Sequence, residues 1–301
     1  LNPTHEEIVT PLVQKFVFSY QDLPSCVYQI QTKFRNEARA KSGLLRGREF
    51  RMKDMYSFHR NEEDLDSYYE KVSQAYFRVY DRLGLGNGRT ILTYASGGAF
   101  SKYSHEYQTL AEFGEDTIFV CEKCEVAVNK EIINEQNFCP KCGNTDLIEK
   151  KSIEVGNIFK LKDKFTQPFK FFYQDENGKQ QVVQMGCYGI GPSRIMGTLV
   201  EVFHDNKGII WPESVAPYQI HLMFLGKEEE GKIEANKIYN QLLKLDVEVL
   251  YDDREDVSAG EKLADADLIG LPYRVIVSQK TLEKGGVEIK KRNEINAKIV
   301  T

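Results

Sequence analysis

The sequence predicts an α+β protein with two domains. Up to residue 215, alternating, β-rich segments follow one another with few helices between them, which is typical of an antiparallel sheet. From residue 216 onward, strand and helix patterns alternate, which indicates a smaller α/β domain. Within the first domain, four of the six cysteines stand in two closely spaced pairs, and this spacing predicts a compact metal-binding module.

The composition is that of an ordinary globular chain. It has 301 residues, with 41% hydrophobic and 28% charged residues, and this length favours two domains over one. The formal net charge of −5 argues against nonspecific nucleic-acid binding through bulk charge, but it leaves room for a local basic patch. No apolar run approaches the roughly 18 residues of a membrane span, and no signal-peptide pattern opens the sequence. We therefore expect a cytoplasmic protein without a membrane partner.

The first elements predict a helix and then a β-hairpin. Residues 4–7 can cap a helix that Pro11 bends, and alternation over 27–34 and 49–58 predicts two paired strands. A long helix is expected from Asn61 to Leu83, with acids in its first turn and a glycine after its end. Further strands are expected at 90–94, 105–110, 153–161, 169–173 and 181–187.

A turn at 205–208 and a proline-containing linker at 211–217 separate the two domains. We place the catalytic core at residues 1–215, with a zinc-ribbon-like insertion at 117–150, and the second domain at 216–301. The second domain is expected to contain strands at 220–225, 247–251 and 273–277 and helices at 229–245 and 259–269.

The predicted hairpin carries residues suited to a nucleotide. Arg35 and Glu37 end the first strand, and Arg46 and Phe50 follow across the loop. Arginine forks donate paired hydrogen bonds to phosphate and keep their charge, so the two arginines suit a triphosphate. Phe50 could stack on adenine, and Glu37 could accept from its exocyclic amine. The competing interpretation is a surface ion pair between Arg35 and Glu37.

A second stretch supplies the other half of the expected ATP site. Gly189 and Gly191 allow the backbone to approach a ligand, and Arg194 follows at the start of a helical pattern. A glycine pair alone is weak evidence and is compatible with a simple turn. Because both stretches are present and occur in this order, they favour one ATP site that contains Arg35, Arg46 and Arg194.

Three residues near these stretches allow more than one interpretation. Thr4 and Glu6 offer acceptors for a substrate ammonium, but without further context the sequence favours a helix cap with acids in the first turn. Cys187 lies two residues before Gly189, and nothing in the sequence marks it as a nucleophile.

The paired cysteines are typical of a structural zinc site. Two Cys-x2-Cys pairs are separated by fourteen residues, and Pro140 and Gly143 shape the second turn. Four thiolates close a tetrahedral shell, so we expect Zn²⁺ to be structural and not catalytic. Free thiols in a loop are the alternative. The expected ligands are Cys121, Cys124, Cys139 and Cys142.

Taken together, these motifs resemble those of class II aminoacyl-tRNA synthetases, and among them the bacterial-type prolyl-tRNA synthetases. Residues 34–50 are similar to class motif 2, and residues 189–194 are similar to motif 3. Resemblance to the proline family rests on longer segments and extends over nearly the whole chain. These segments are 3–7, 46–58, 153–156 and 185–191.

The resemblance implies a fold and a set of roles. The fold would be an antiparallel-sheet catalytic core followed by an anticodon-binding domain. Arg35 would contact the α-phosphate and the proline carboxylate, Arg46 and Arg194 the outer phosphates, and Phe50 the adenine. Thr4 and Glu6 would hold the prolyl nitrogen. The pyrrolidine pocket would be lined by Met52, Tyr56 and Cys187.

The resemblance also implies ATP with Mg²⁺, proline and tRNA(Pro) as substrates and a homodimer in the full-length protein. Class motif 1, which forms much of the dimer interface in this family, would precede Leu1. Bacterial relatives usually carry a large editing domain between motifs 2 and 3, and in this sequence the cysteine module occupies that place. Asn157 stands where relatives usually have histidine, and we assign it no role. A pocket sized for proline excludes smaller alanine poorly, because each missing methylene is worth only about 1–3 kcal/mol.

Two other functions are compatible with parts of the sequence. A synthetase-like paralogue could bind tRNA or a regulatory partner without catalysis, but the intact set of Arg35, Glu37, Phe50 and Arg194 argues against it. A zinc module fused to an unrelated ATPase would predict a Gly-x4-Gly-Lys phosphate loop followed by serine or threonine. The sequence contains no such loop, because its single Gly-x4-Gly-Lys match, at residues 226–232, is followed by Ile233.

Overall fold

A computed structural model describes all residues 1–301, which form two compact units, Leu1–Thr198 and Leu199–Thr301. This division assigns residues 199–215 to the second unit, and the domain limits at residues 215 and 216 stay a prediction. The intervening segment packs on the second unit. Arg292 binds the Asp205 carboxylate with both terminal nitrogens, and the backbone of Gly208 lies against Leu268.

The first unit contains two complete helices and ten strands, and a third helix extends beyond its end. The helices are α1 (Glu6–Val13), α2 (Glu62–Arg82) and α3 (Pro192–Val202). The strands are β1 (Ser25–Phe34), β2 (Glu49–His59), β3 (Thr90–Ser96), β4 (Tyr103–Leu110), β5 (Asp116–Cys121), β6 (Val126–Asn129), β7 (Ile148–Lys162), β8 (Phe172–Gln174), β9 (Gln180–Val182) and β10 (Gln184–Ile190).

Eight of these strands form one sheet in the order β1-β2-β10-β7-β4-β3-β6-β5, and β7 also pairs with β5. The first residues of β7 pair with β5, its middle with β4 and its end with β10. This double pairing closes β3 to β7 into a small ring around Ile91, Ile118, Val120 and Ala127. The ring leaves β1 as the free edge of the eight-stranded sheet.

The helix α2 covers the sheet because its aromatic stripe has helical spacing. Asn61 caps its start by accepting a hydrogen bond from the backbone of Asp64 at 2.9 Å. The side chains of Leu65, Tyr69, Tyr76 and Tyr80 are buried at spacings of four or seven residues. This face packs against β2, β7 and β10, so the opposite face of those strands is left for a cleft.

The second unit is a parallel-sheet α/β domain with an antiparallel extension. Its central strand pairs in parallel with the strands on both sides, and its core includes Leu222, Val249 and Val275. The elements are β11 (His204–Asp205), β12 (Gly208–Ile209), β13 (Ile220–Leu225), α4 (Glu229–Lys244), β14 (Val249–Asp252), α5 (Ala259–Ile269), β15 (Tyr273–Ser278), α6 (Gln279–Leu282), β16 (Val287–Lys291) and β17 (Lys298–Val300).

The predicted α+β fold is confirmed, and several local predictions are wrong. The stretch 181–187 is not one strand, because the pairing breaks at Val183 between β9 and β10. Residues 169–171 lie outside β8, since the chain turns there, with Lys170 at a positive φ of 53°. The strands β5, β6, β16 and β17 were not predicted. None of the helices combines the length and the apolar composition required to cross a lipid bilayer.

Candidate active site

One cleft of about 210 Å³ on the first unit collects nearly all the predicted site residues. Its floor is formed by the exposed face of β1, β2, β7 and β10, and its rim by the loop between β1 and β2 and by the start of α3. The predicted residues that line it are Thr4, Glu6, Arg35, Glu37, Arg46, Phe50, Met52, Cys187, Gly189, Gly191 and Arg194.

The strand register explains why these side chains share one face. Lys33 on β1 lies opposite Phe50 on β2, and Gly189 on β10 lies opposite Asp54. Because alternate residues of a strand point to the same face, Phe50, Met52 and Asp54 all face the cleft. Odd-numbered residues of β1 and β10 face it as well, since they are paired with even-numbered residues of β2.

The three predicted guanidinium groups lie on the same cleft. Arg35 follows β1, and its guanidinium carbon lies 5.2 Å from the centre of the Phe50 ring. Arg46 contacts Glu37 across the loop, with Nε 3.4 Å from Oε2. Arg194 donates to the carbonyl of Leu45 and to the carboxylate of Glu154, at 3.0 and 2.9 Å. Positive charge is therefore concentrated at one site by residues far apart in sequence.

The two predicted glycines keep the cleft open. A methyl group on Gly189 would meet its nearest neighbours only at ordinary contact distances, the closest being Asp54 at 3.6 Å. On Gly191 the single neighbour would be Arg194, at 3.5 Å. Both residues line the cavity and neither has a positive φ, so what glycine contributes here is open space and not an unusual backbone conformation.

At the other end of the cleft lies a buried carboxylate. Glu6 is only 2% exposed, and its side chain accepts hydrogen bonds from the hydroxyl of Thr4 and from Cys187, whose sulfur lies 3.1 Å away. The helix-cap interpretation of Thr4 is wrong, because His5 occupies the cap position and no side chain caps α1. Burial, reinforced by Glu6 and Asp54, raises the pKa of the Cys187 thiol, so Cys187 is a neutral donor and not a nucleophile.

Tyr56 does not reach the cleft surface. It lies opposite Cys187 in the β2–β10 register, and its ring is fully buried in an apolar cluster that also contains Cys187 and residues of α1. Burial raises the pKa of its phenol, and the hydroxyl has no hydrogen-bond partner. The structure therefore places Tyr56 outside the cleft lining, beside Cys187 on the same face of the sheet.

Sequence reasoning missed an ion pair in the cleft floor. Lys33 and Asp54 pair directly, with side-chain exposures of 2% and 6%. The pair joins β1 to β2 and lies between the arginine end and the Glu6 end of the cleft. Alternation alone could have indicated it, since a lysine and an aspartate at inward-facing positions of a buried hairpin require partners.

The cleft wall also contains aromatic residues that were not predicted. Phe159 on β7 lies opposite Cys187 on β10, and the ring of Phe100 packs against Phe159 with 5.0 Å between centroids. Phe100 belongs to a loop in which Gly98 has a positive φ of 52°. These rings give the Glu6 end of the cleft an apolar wall.

Three carboxylates lie beside Arg194. Asn157 donates towards Glu106 and Glu154 at 3.5 and 3.3 Å, and Gln108 joins Glu106 to Asp116. Burial, with Glu154 nearby, raises the pKa of Glu106 to about 8. Asn157, for which the sequence suggested no role, is thus the amide that links this acidic cluster to the cleft.

The four predicted zinc ligands converge. The sulfurs of Cys121, Cys124, Cys139 and Cys142 all lie within 4.8 Å of one another. Cys121 and Cys142 are 3.8 Å apart, which is the edge of a tetrahedron with Zn–S bonds of about 2.3 Å. Each Cys-x2-Cys pair is followed directly by a residue with a positive φ, Glu125 after the first and Gly143 after the second. Two similar turns therefore present the thiols. The residues present therefore fit Zn²⁺.

Comparison with known proteins agrees with this architecture. Residues 1–203 match the family described as tRNA synthetase class II core domain (G, H, P, S and T), and residues 215–300 match the anticodon binding domain. The chain therefore belongs to the class II aminoacyl-tRNA synthetases.

The chain is similar to the proline–tRNA ligase of a Wolbachia sp. from Drosophila simulans, at 42% identity over 96% of this chain and 70% of the relative. It is 38% identical to the enzyme of Sulfurimonas denitrificans over the same shares. The ligase of Dehalococcoides mccartyi is 31% identical over 100% of this chain and 78% of its own length. The chain belongs to the proline–tRNA ligase family.

The buried ion pair generates a stability prediction. We expect Lys33→Met or Asp54→Asn to lower the free energy of unfolding by about 3–5 kcal/mol, because each leaves a buried charge unpaired. The double variant Lys33→Met/Asp54→Leu should lower the free energy of unfolding by clearly less than the sum of the decreases in the two single variants, because it leaves no unpaired charge. Urea unfolding followed by circular dichroism measures all three.

The exposed pair between Lys237 and Glu234 provides the control. Lys237→Met should cost about 0.5 kcal/mol or less. Single variants at Lys33 and Asp54 that are no more damaging than this control would contradict the role assigned to the buried pair.

Proposed function

We propose that the protein activates proline with ATP and transfers it to tRNA(Pro). In the first step the proline carboxylate attacks the α-phosphorus, giving prolyl-adenylate and pyrophosphate. In the second, a ribose hydroxyl at the tRNA terminus attacks the prolyl carbonyl and releases AMP. The observation that carries this proposal is the convergence of three arginines and a buried carboxylate on one cleft. No observation favours a non-catalytic paralogue.

We assign the nucleotide to the arginine end of the cleft. Arg35 would hold the α-phosphate and the proline carboxylate, and Arg46 and Arg194 would hold the outer phosphates. Phe50 would stack on adenine, with Glu37 accepting from its amine. Fixed positive charge and positioning would supply most of the rate enhancement, and no covalent enzyme intermediate is required.

We assign proline to the Glu6 end. The Glu6 carboxylate would pair with the prolyl ammonium, and Thr4 would orient that carboxylate. Met52, Cys187 and Phe159 offer apolar surface for the ring, while Tyr56 would pack beside Cys187. A carboxylate buried in an apolar wall attracts a cation strongly when the cation fills the cavity beside it and excludes water. The Glu6 end of the cleft therefore suits a small, compact amine.

ATP is expected to bind as its Mg²⁺ complex, as in class II synthetases. Mg²⁺ prefers carboxylate oxygens and water, and it would neutralise charge on the phosphates. Among the carboxylates of the cleft, Glu154 lies next to Arg194 and is partly exposed, so we assign it to the metal.

The second unit would bind the anticodon of the tRNA. A cavity of about 800 Å³ lies at the carboxyl ends of β13 and β14, where ligands of parallel sheets commonly bind. Lys227, Lys232 and Arg254 line it, and Tyr251 offers a ring for stacking. Lys262 is committed to structure, because its ammonium donates to the carbonyls of Phe224 and Asp252.

We also propose a structural Zn²⁺ in the cysteine module, a homodimer and a cytoplasmic location. The dimer proposal rests on exposed apolar side chains. Ile8 and Leu12 form a stripe on α1 with 48% and 53% exposure, and Tyr28 and Ile30 are exposed on the free edge strand β1. Exposed edges and apolar stripes are usually covered by a partner, here a second copy of the chain.

The reaction is tested by pyrophosphate exchange. We expect ATP–pyrophosphate exchange that depends on proline, and we expect Arg194→Ala to lower its rate about 100-fold or more because a phosphate contact is lost. Binding of tRNA to Arg194→Ala should stay near that of the unaltered protein. Exchange driven by another amino acid and not by proline would overturn the assignment.

Metal analysis tests the zinc proposal. One equivalent of Zn²⁺ per chain is expected, and Cys124→Ser should lower both zinc content and melting temperature, since a ligand that closes the site also stabilises the fold. Cys26→Ser is the matched control because Cys26 lies outside the cluster. A metal-free protein with an unchanged melting temperature would contradict the assignment.

Sedimentation tests the dimer. We expect the unaltered protein to associate at micromolar concentration and Leu12→Lys to abolish association, because a charge on the α1 stripe cannot be buried unpaired. Leu243→Lys changes a similarly exposed leucine on α4 and should leave association intact. A monomeric unaltered protein, or equal effects of both changes, would argue against this interface.

A further inference from the structure

The loop between β1 and β2 is ordered by contacts on two sides. It runs over residues 35–48 and carries Arg46. Within it, the backbone of Lys41 donates to the carbonyl of Arg46 at 3.1 Å, and Ser42 has a positive φ of 56°. On one side Leu45 is buried against Gly197 of α3, and its carbonyl accepts from Arg194. This side joins the loop to the helix that forms the other half of the site.

The other side of the loop is held by one carboxylate, that of Glu115. Its Oε1 accepts from the Ser42 hydroxyl at 3.0 Å and lies 3.2 Å from the ammonium of Lys41. Its Oε2 lies 3.1 Å from Nη1 of Arg46. Three loop side chains therefore converge on a residue about seventy positions away in sequence.

Glu115 is itself fixed by the sheet. The preceding Gly114 lies so close to the backbone of Ser152 that a methyl group there would fall 2.3 Å from its carbonyl oxygen. The following Asp116 begins β5 and pairs with Ser152 on β7. A carboxylate on this short connection has little freedom to follow the loop, so the loop must conform to the carboxylate.

The charge of Glu115 is maintained in this setting. Partial burial acts to raise its pKa, but the hydrogen bonds from Ser42 and Lys41, with the cations of Lys41 and Arg46, hold that pKa below its ordinary value. The side chain is 20% exposed, and that of Arg46 is 44% exposed. At such exposure, each contact alone would contribute little to the stability of the loop conformation. The three contacts together restrain the loop because they converge on one anchored carboxylate.

We propose that Glu115 is a positioning residue that holds the loop and Arg46 ready for ATP. The proposal rests on the function proposed above, in which Arg46 binds the outer phosphates. The contacts to Glu37 and Glu115 use Nε and Nη1 of Arg46, so Nη2 stays available for a phosphate oxygen. Because the loop is ordered before the nucleotide arrives, binding does not have to supply the free energy of ordering it.

The test compares four variants of the complete protein. Glu115→Gln keeps the shape and removes the charge, Glu115→Ala removes all three contacts, and Lys41→Gln removes one of them from the loop side. Glu112→Gln is the matched control, because Glu112 is an exposed neighbour that takes part in no described contact with the loop. Melting temperatures establish that each variant is folded.

In pyrophosphate exchange, we expect KM for ATP to rise about fivefold in Glu115→Gln and about tenfold in Glu115→Ala, with a smaller rise in Lys41→Gln. The KM for proline should change less than about twofold, since the Glu6 end is untouched. Glu112→Gln should match the unaltered protein. A general structural defect would instead raise both KM values and lower the melting temperature.

A second readout does not depend on activity. Trypsin cleavage after Arg46 and Arg48, mapped by mass spectrometry without ATP, should be faster in both Glu115 variants, because cleavage reports local opening of the loop. An unchanged or lowered KM for ATP in both Glu115 variants would overturn the proposal. If the unaltered protein shows no proline-dependent exchange, the proposed function fails, and unchanged cleavage rates would then overturn the role of Glu115 separately.

Discussion

The site depends on the antiparallel register of β2 between β1 and β10. This register places Phe50, Met52 and Asp54 on the face that also carries Lys33 and Gly189. A slip of β2 by one residue would turn Phe50, Met52 and Asp54 to the helix-covered face, away from Lys33 and Gly189. The Lys33–Asp54 pair opposes such a slip, because both charges would lose their partners. A single buried interaction thus maintains the arrangement on which nucleotide and amino acid binding depend.

Carboxylates lie next to the cationic groups of the cleft. Arg46 is shared by Glu37 and Glu115, and Arg194 by Glu154 and a backbone carbonyl. These contacts restrict the rotamers of the two arginine side chains and so keep their guanidinium groups in place. They are solvent-accessible and therefore weak enough for phosphate oxygens to replace some of them. The cleft is thus organised before binding without being blocked by its own charges.

Much of the fold and part of the site could be predicted from the sequence, because their signals are local. Strand alternation gave the hairpin around Arg35 and Phe50, and Cys-x2-Cys spacing gave the metal module. The roles of individual side chains came from resemblance and not from pattern. The residues that were missed depend on non-local pairing. Glu115 is informative only when β5 is known to pair with β7, and Phe100 only when Phe159 is known to lie opposite Cys187.

The closed ring of β3 to β7 has a consequence for assembly. A sheet that curls back on itself at one end presents unpaired backbone groups only at the other, here along β1. If the β1 strands of two copies paired with each other, their backbone groups would be hydrogen-bonded. Neither copy would then have a free edge strand in this sheet with which to bind a third copy. Growth through this sheet would therefore terminate at a closed, two-fold symmetric pair and could not continue into a fibre.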